Sequence, residues 1–233
     1  MANVLNPERK ENPMLLPELR ANVLTTARKM VADGLAYGAQ GNVSARDPDS
    51  GLIGVTPSAI QYDQMTAEDV VIINTHGQIV EGRWKPTSET PLHTIFYRER
   101  SDVGAVVHTH APYATTFAIV GEPIPMVLAE AALCIGGPVP VAPYRRPSTQ
   151  ELAQVMLETV GQGVSALLAH HGLITVGPNL ELAYAATIAA EISARLVIMA
   201  RSINAHPIEL DADEVTALRQ MYLHYYHAQA ADA

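Results

Sequence analysis

Three pairs of short apolar runs in this chain are joined by turns too brief to carry a crossover, and that spacing dictates antiparallel pairing. Val43–Asp47 and Leu52–Thr56 flank Asp-Pro-Asp-Ser-Gly; Val70–Asn74 and Gln78–Glu81 flank Thr75-His76-Gly77; Ser165–Ala169 and Leu173–Val176 flank His170-His171-Gly172. Parallel neighbours would need a connection of about a dozen residues or more. Asp, Asn, Gly and Pro supply the turns. Asp102–Thr109 and Val139–Ala142 read as two further strands. Between these runs the period changes to that of a helix. Leu19, Val23, Ala27, Met30 and Val31 recur at helical spacing from Pro17 to Leu35, with Gly34 near the stop. Residues 89–100 and a segment after Pro112 read as helices. Ser148 with Glu151 forms a capping-box pattern opening a helix to about Val160, Asn179 caps a long helix to about Asn204, and a last helix covers 213–227. The pattern predicts a single α/β domain with a mainly antiparallel central sheet flanked by helices. Residues 1–14 read as a polar N-terminal arm and 15–233 as the domain.

Composition narrows the function. Of 233 residues, 48% are hydrophobic and 17% charged, enough to bury a sizeable core. The net charge of −9 argues against nucleic acid or an anionic membrane as partner. It leaves a small anionic substrate open, because a few local donors suffice to hold a phosphate. The lone Cys134 rules out an internal disulfide and fits a reducing compartment. The N-terminal segment has no apolar core of a signal peptide. No run approaches the ~20 apolar residues of a membrane helix, and Glu191 interrupts the Ala-rich stretch near 185–194, which reads as a packed helix. A cytoplasmic address is expected.

The chemistry lies in the histidines. In Val-Val-His108-Thr-His110-Ala-Pro, two imidazoles at i and i+2 point to one face of a strand. At the strand's end they can share one ion. An open catalytic zinc site takes about three protein ligands and keeps a position for water or substrate. The third candidate is in Leu-Leu-Ala-His170-His171-Gly172, where an apolar strand delivers histidine into a turn and glycine allows close backbone approach. His76, His206, His224 and His227 read as ordinary structural or surface histidines.

Lys85-Pro-Thr87-Ser88-Glu89-Thr-Pro-Leu-His93 is the second cluster. Thr87 and Ser88 place hydroxyls and N–H groups at a helix start, a natural anion cradle. Glu89 is a candidate acid/base for a proton on carbon beside a metal-bound carbonyl. Its competing role is to complement the helix dipole behind a Ser88 cap. His93, one turn on, is a candidate partner for Glu89. Gly41-Asn42 and Thr56-Pro57-Ser58-Ala59 are two more loops of small or donor residues.

As a set, Gln-Gly-Asn-Val-Ser-Ala-Arg (40–46), Thr-Pro-Ser-Ala (56–59), Thr-Ser-Glu-Thr-Pro-Leu-His (87–93), Val-Val-His-Thr-His-Ala (106–111) and His-His-Gly-Leu-Ile (170–174) resemble the class II aldolase/adducin family in order and spacing over about residues 15–205. The resemblance implies a Zn²⁺, with Mn²⁺ or Co²⁺ as substitutes, held by His108, His110 and His171, with His170 a neighbour. It implies Glu89 as acid/base and Gly41, Asn42, Ser58, Thr87 and Ser88 as phosphate-binding residues. It further implies a phosphorylated small sugar as substrate, cleaved to dihydroxyacetone phosphate and an aldehyde with the ion as Lewis acid. The expected assembly is a homotetramer with active sites between subunits.

Departures from the family pattern bear on substrate. Ala59 replaces a common glycine, and Thr87 a more usual serine. Ala129 stands where fuculose-phosphate aldolases carry the tyrosine that protonates the leaving group. Tyr222, Tyr225 and Tyr226 are alternative donors or a packing stripe. Glu130 resembles, by placement, the catalytic glutamate of methylthioribulose-phosphate dehydratases. Dehydration, epimerisation and decarboxylation therefore stay open as alternatives within the family, and a non-catalytic adducin-like scaffold as an alternative of another class.

Overall fold

The computed structural model describes residues 13–231, with side chains through Tyr225. The expected arm over 1–14 lies almost wholly outside these residues. In chain order the elements are α1 (Pro17–Ala32), β1 (Asn42–Arg46), β2 (Ile53–Val55), β3 (Val71–Ile73), β4 (Ile79–Glu81), α2 (Thr90–Glu99), β5 (Ala105–Thr109), α3 (Pro112–Val120), α4 (Ala129–Cys134), β6 (Val141–Ala142), α5 (Gln150–Val160), β7 (Ser165–Leu168), β8 (Gly172–Gly177), α6 (Leu180–Ser202) and α7 (Ala212–Ala231).

The eight strands form one sheet in the order β4-β3-β2-β1-β5-β8-β7-β6. All three expected hairpins are present, and every pairing is antiparallel except β6 with β7. Alternation sorts the side chains to two faces. Val43, Ala45, Ala105, Val107 and Leu173 pack under α1, α3, α4, α6 and α7. Ile53, Val55, Val106, Ile174 and Val176 pack under α2 and α5.

Each helix shows why its sequence folds there. α1 buries Val23, Ala27 and Met30, spaced one turn apart, against β1 and β2. α6 buries Ala183, Ala186, Ala190, Ala194 and Val197, small residues that let it lie close on the sheet. Among the described residues α6 alone is long and apolar enough to cross a membrane, and half of its most apolar window is buried within the protein. Glu191 is part of that packing: its carboxylate accepts the N–H groups of Tyr113 (3.0 Å) and Ala114 (2.7 Å) at the start of α3. Burial pushes this carboxyl up, against those two bonds.

Two expectations need correction. The cap of α5 is Thr149, whose hydroxyl accepts from the Leu152 N–H, while Ser148 turns aside with φ +66°. Ser148 and Thr149 are both capping residues, so the pattern was one residue ambiguous. α2 has Glu89 rather than Ser88 at its N-cap. The short helix α4 is an addition to the expected elements, since six residues carry too few turns for a periodic signal. It is held from outside: the Arg219 guanidinium on α7 donates to the Leu133 and Cys134 carbonyls at its end, both at 2.8 Å.

Candidate metal centre and active site

β5 carries Val106 and His108 on its α2 face, and His110 follows just past the strand's end. β8 is the adjacent strand, and its hairpin with β7 turns at Ala169-His170-His171. His170 adopts φ +58°, a left-handed conformation uncommon outside glycine. That residue reverses the chain, so that the His171 N–H donates to the Leu168 carbonyl at 3.0 Å. Gly172 completes the approach: a Cβ there would stand 2.3 Å from the Thr109 carbonyl oxygen and 3.2 Å from the His110 ring.

The three rings consequently form a nearly equilateral triangle. Centroid separations are 5.1 Å (108–110), 4.8 Å (108–171) and 5.0 Å (110–171), with planes inclined at 67–69°. One ligand nitrogen from each lies within 4.8 Å of the others. His170, by contrast, is exposed and lies against Tyr144.

The protonation pattern suits a cation. His108 Nδ1 sits 3.0 Å from the Leu173 carbonyl, which only accepts, so Nδ1 carries the hydrogen and Nε2 is bare. Full burial pushes the His108 imidazole down to about 4, and burial lowers His110 as well. Glu89 is 5% exposed, with Oε2 3.1 Å from His108 Nε2 and Oε1 3.8 Å from His171 Nε2. Burial alone would raise its carboxyl; the facing His108, the Asn42 amide, His171 and His93 outweigh burial and hold it low. A bare imidazole nitrogen and a carboxylate oxygen therefore face one another, two lone pairs with no proton between. Glu89 Oε1, His108 Nε2 and His171 Nδ1 are buried without a hydrogen-bond partner. A divalent ion bound by the three histidines would take up the bare His108 Nε2 beside the Glu89 carboxylate, so the residues fit a three-histidine metal site.

The expected phosphate loops meet beside this centre. A cleft of about 210 Å³ is lined by Gly41, Asn42, Ser58, Thr87 and Ser88 together with Glu89, His110 and His171. Among the described residues no lysine or arginine lines it. Gly41 has φ +68°, and a Cβ there would stand 2.6 Å from the His108 carbonyl oxygen. Ala59, also in the lining, has φ +62°, the conformation that favours glycine. An L-residue there carries roughly 1–2 kcal/mol of strain. Asn42, also in the lining, supports Glu89 through its side chain. Its Nδ2 donates to Glu89 Oε2 at 3.0 Å and its Oδ1 meets His93 Nε2, so both ends of the amide are engaged.

Sequence reasoning missed Pro147 and Ser148, which also line the cleft. The strained φ of Ser148 was the signal, and it is invisible in sequence. Glu130 lies on the first turn of α4, exposed and outside the cleft lining of one chain. Tyr222 lies against Arg219, Tyr225 is exposed, and Tyr226 falls outside the described side chains.

The buried imidazoles set a pH dependence for the metal-free protein. Burial pushes His93 down to about 3, against about 6.5 in an unfolded chain. Below pH ~6.5 the unfolded state takes up a proton that the folded state refuses, so stability present above that pH is lost as pH falls towards 3. Urea titrations at pH 7 and 5 should differ by about 2 kcal/mol from this one residue, and His93→Gln should flatten the slope.

The family-level comparison turns on residues 21–198, which match the model of the class II aldolase and adducin N-terminal domain. The chain belongs to the class II aldolase and adducin family. Within it, the chain is 37% identical over 213 residues to a 5-deoxy-D-ribulose 1-phosphate aldolase of Bacillus thuringiensis serovar kurstaki, covering 91% of this chain and 99% of that one. It is 36% identical over 207 residues to a 5-methylthioribulose-1-phosphate/5-deoxyribulose-1-phosphate aldolase of Rhodospirillum rubrum, covering 89% and 92%. Among solved structures, an L-fuculose 1-phosphate aldolase superposes with a TM-score of 0.84 at 30% identity, covering 88% of this chain and 96% of that one. The single α/β domain and mostly antiparallel sheet of this class II aldolase fold agree with the architecture expected from its hairpin spacing.

Proposed function

We propose that this protein is a divalent-metal-dependent aldolase that reversibly cleaves a small ketose 1-phosphate to dihydroxyacetone phosphate and an aldehyde. The observation that carries the reading is Glu89, a buried carboxylate whose Oε1 has no hydrogen-bond partner and lies 3.8 Å from His171 Nε2. When bound, the ion supplies Lewis-acid stabilisation of the negative charge left as the carbon–carbon bond breaks. Glu89 returns a proton to that carbon on cleavage and removes it on condensation. Gly41, Ser58, Thr87 and Ser88 hold the phosphate through N–H and hydroxyl donors, as a cleft without lysine or arginine requires. That no lysine lines the cleft among the described residues also weighs against a Schiff-base route.

Zn²⁺ is the ion favoured by three imidazoles, with Mn²⁺ or Co²⁺ able to substitute. A 5-deoxypentulose 1-phosphate is the favoured substrate over fuculose 1-phosphate. Support comes from the names of the two relatives at 37% and 36% identity and from Ala129 at the tyrosine position. A homotetramer with sites between subunits would bring further groups, Glu130 among the candidates, to a cleft that is open within one chain. A cytoplasmic location suits such a metabolic enzyme.

The test is incubation of metal-loaded protein with 5-deoxyribulose 1-phosphate and fuculose 1-phosphate, assaying dihydroxyacetone phosphate. Release from the deoxypentulose ester is the expected result. Appearance of a dehydrated diketone instead would move the assignment to a dehydratase, and failure to retain any divalent ion would move it to a scaffold.

A further inference from the structure

Behind Asn42 lies a row of buried polar side chains that the aldol chemistry does not touch. Ser44, two residues along β1, places Oγ 2.6 Å from His93 Nδ1 and 2.7 Å from the Tyr97 hydroxyl. His93 Nε2 meets Asn42 Oδ1, and Asn42 Nδ2 reaches Glu89 Oε2. Ser44 and His93 are 0% exposed and Tyr97 is 3% exposed, so water does not complete any of these bonds.

The donor and acceptor inventory allows one arrangement that satisfies every member. Glu89 is a carboxylate and accepts, so the Asn42 end facing it is the NH₂ group. The other end is the carbonyl, so His93 Nε2 must carry a hydrogen. Burial keeps His93 neutral, which leaves Nδ1 bare and able only to accept. The Ser44 hydroxyl therefore gives its one hydrogen to Nδ1, and its oxygen takes the hydrogen of Tyr97. All four bonds run in one direction, from Tyr97 through Ser44, His93 and Asn42 to Glu89.

We propose that His93, its tautomer fixed by Ser44 and Tyr97, is a positioning residue that locks the Asn42 amide with its NH₂ towards Glu89. Turning the amide over would set a carbonyl against the carboxylate and an NH₂ against the His93 N–H, two repulsive contacts in place of two bonds. Locked, Oε2 is held and Oε1 stays unpartnered on the reaction side. The relay explains why polar residues occupy Ser44 and His93 on a face otherwise built from Val106, Ile53 and Phe96. In an apolar layer each carries a burial penalty unless fully bonded.

The proposal rests on the aldol reading for its kinetic consequence but not for its structural one. Protein labelled with ¹⁵N at histidine should show the His93 imidazole as the neutral Nε2–H tautomer by NMR. A predominant Nδ1–H tautomer in the folded wild type overturns the relay, and this measurement needs no variant. Ser44→Ala should convert His93 to a mixture of tautomers and lower kcat by about 10–100-fold, with KM and bound metal little changed. In an Asn42→Ala background the same substitution should have no further effect, because its influence passes through that amide. Wild-type kcat from a folded Ser44→Ala protein, or full additivity of the two substitutions, contradicts the proposal. A wild-type protein with no aldol turnover would count against the reaction assigned above, while the position of the imidazole hydrogen still decides the relay.

Discussion

Glu89→Gln is expected to bind its divalent ion and keep its fold while turning over at least ~100-fold more slowly. The glutamine amide has the shape of the carboxylate and still offers an oxygen to the Asn42 NH₂ group, so the relay and the start of α2 are preserved. What it loses is the ability to accept and return a proton. The carboxylate is 5% exposed, and among the described residues no second carboxylate lines the cleft within one chain. Solvent therefore has poor access to the position that Glu89 occupies. Steady-state cleavage with metal analysis and a thermal melt on the same preparation checks this. Near-normal turnover from the variant would falsify the acid/base role.

His110→Ala has the other large effect, and it acts on the ion instead of the proton. His108 is fully buried and tied to the Leu173 carbonyl, so its removal also opens a cavity in the sheet. His110 lies past the end of β5 and is partly exposed, which makes its loss the cleaner experiment. Two imidazoles then remain of three, and loss of a direct ligand should weaken metal binding by more than the ~10–100-fold typical of supporting residues. After dialysis the variant should hold no stoichiometric ion and show no measurable cleavage, with near-native circular dichroism. Retention of one ion per chain would remove His110 from the ligand set.

Much of the fold is legible because its signals are local. The Asp-Pro-Asp-Ser-Gly turn between β1 and β2 and the Asn179 cap of α6 are written in adjacent residues, and both appear as expected. The histidine pair is legible for the same reason, since i and i+2 on a strand must share a face. The His170-His171-Gly172 turn was legible as the source of a third ligand, and choosing His171 over His170 rested on the family resemblance; in the fold the convergence follows from β5 and β8 being neighbours and from Gly172 allowing the turn to close on Thr109. The relay is where sequence falls short. Across each contact Asn42 and Ser44 are 47–53 residues from Glu89, His93 and Tyr97, and nothing in either segment alone says that β1 lies under α2. The resemblance marks Asn42 only as a phosphate-binding residue, and the contacts of its amide with Glu89 and His93 come to light only in the fold. Ser148 shows the complementary gap: its side chain matched a cap, but its backbone angle placed it in the wall of the cleft.

The central claim is that three imidazoles close on one cation beside Glu89. X-ray absorption at the edge of the bound metal, on protein loaded with one equivalent of Zn²⁺, measures it directly. The account predicts three imidazole nitrogens at ~2.0–2.1 Å with at least one oxygen, and loss of one nitrogen shell in His171→Ala. A first shell with fewer than three nitrogens, or one unchanged by removing His171, would contradict it.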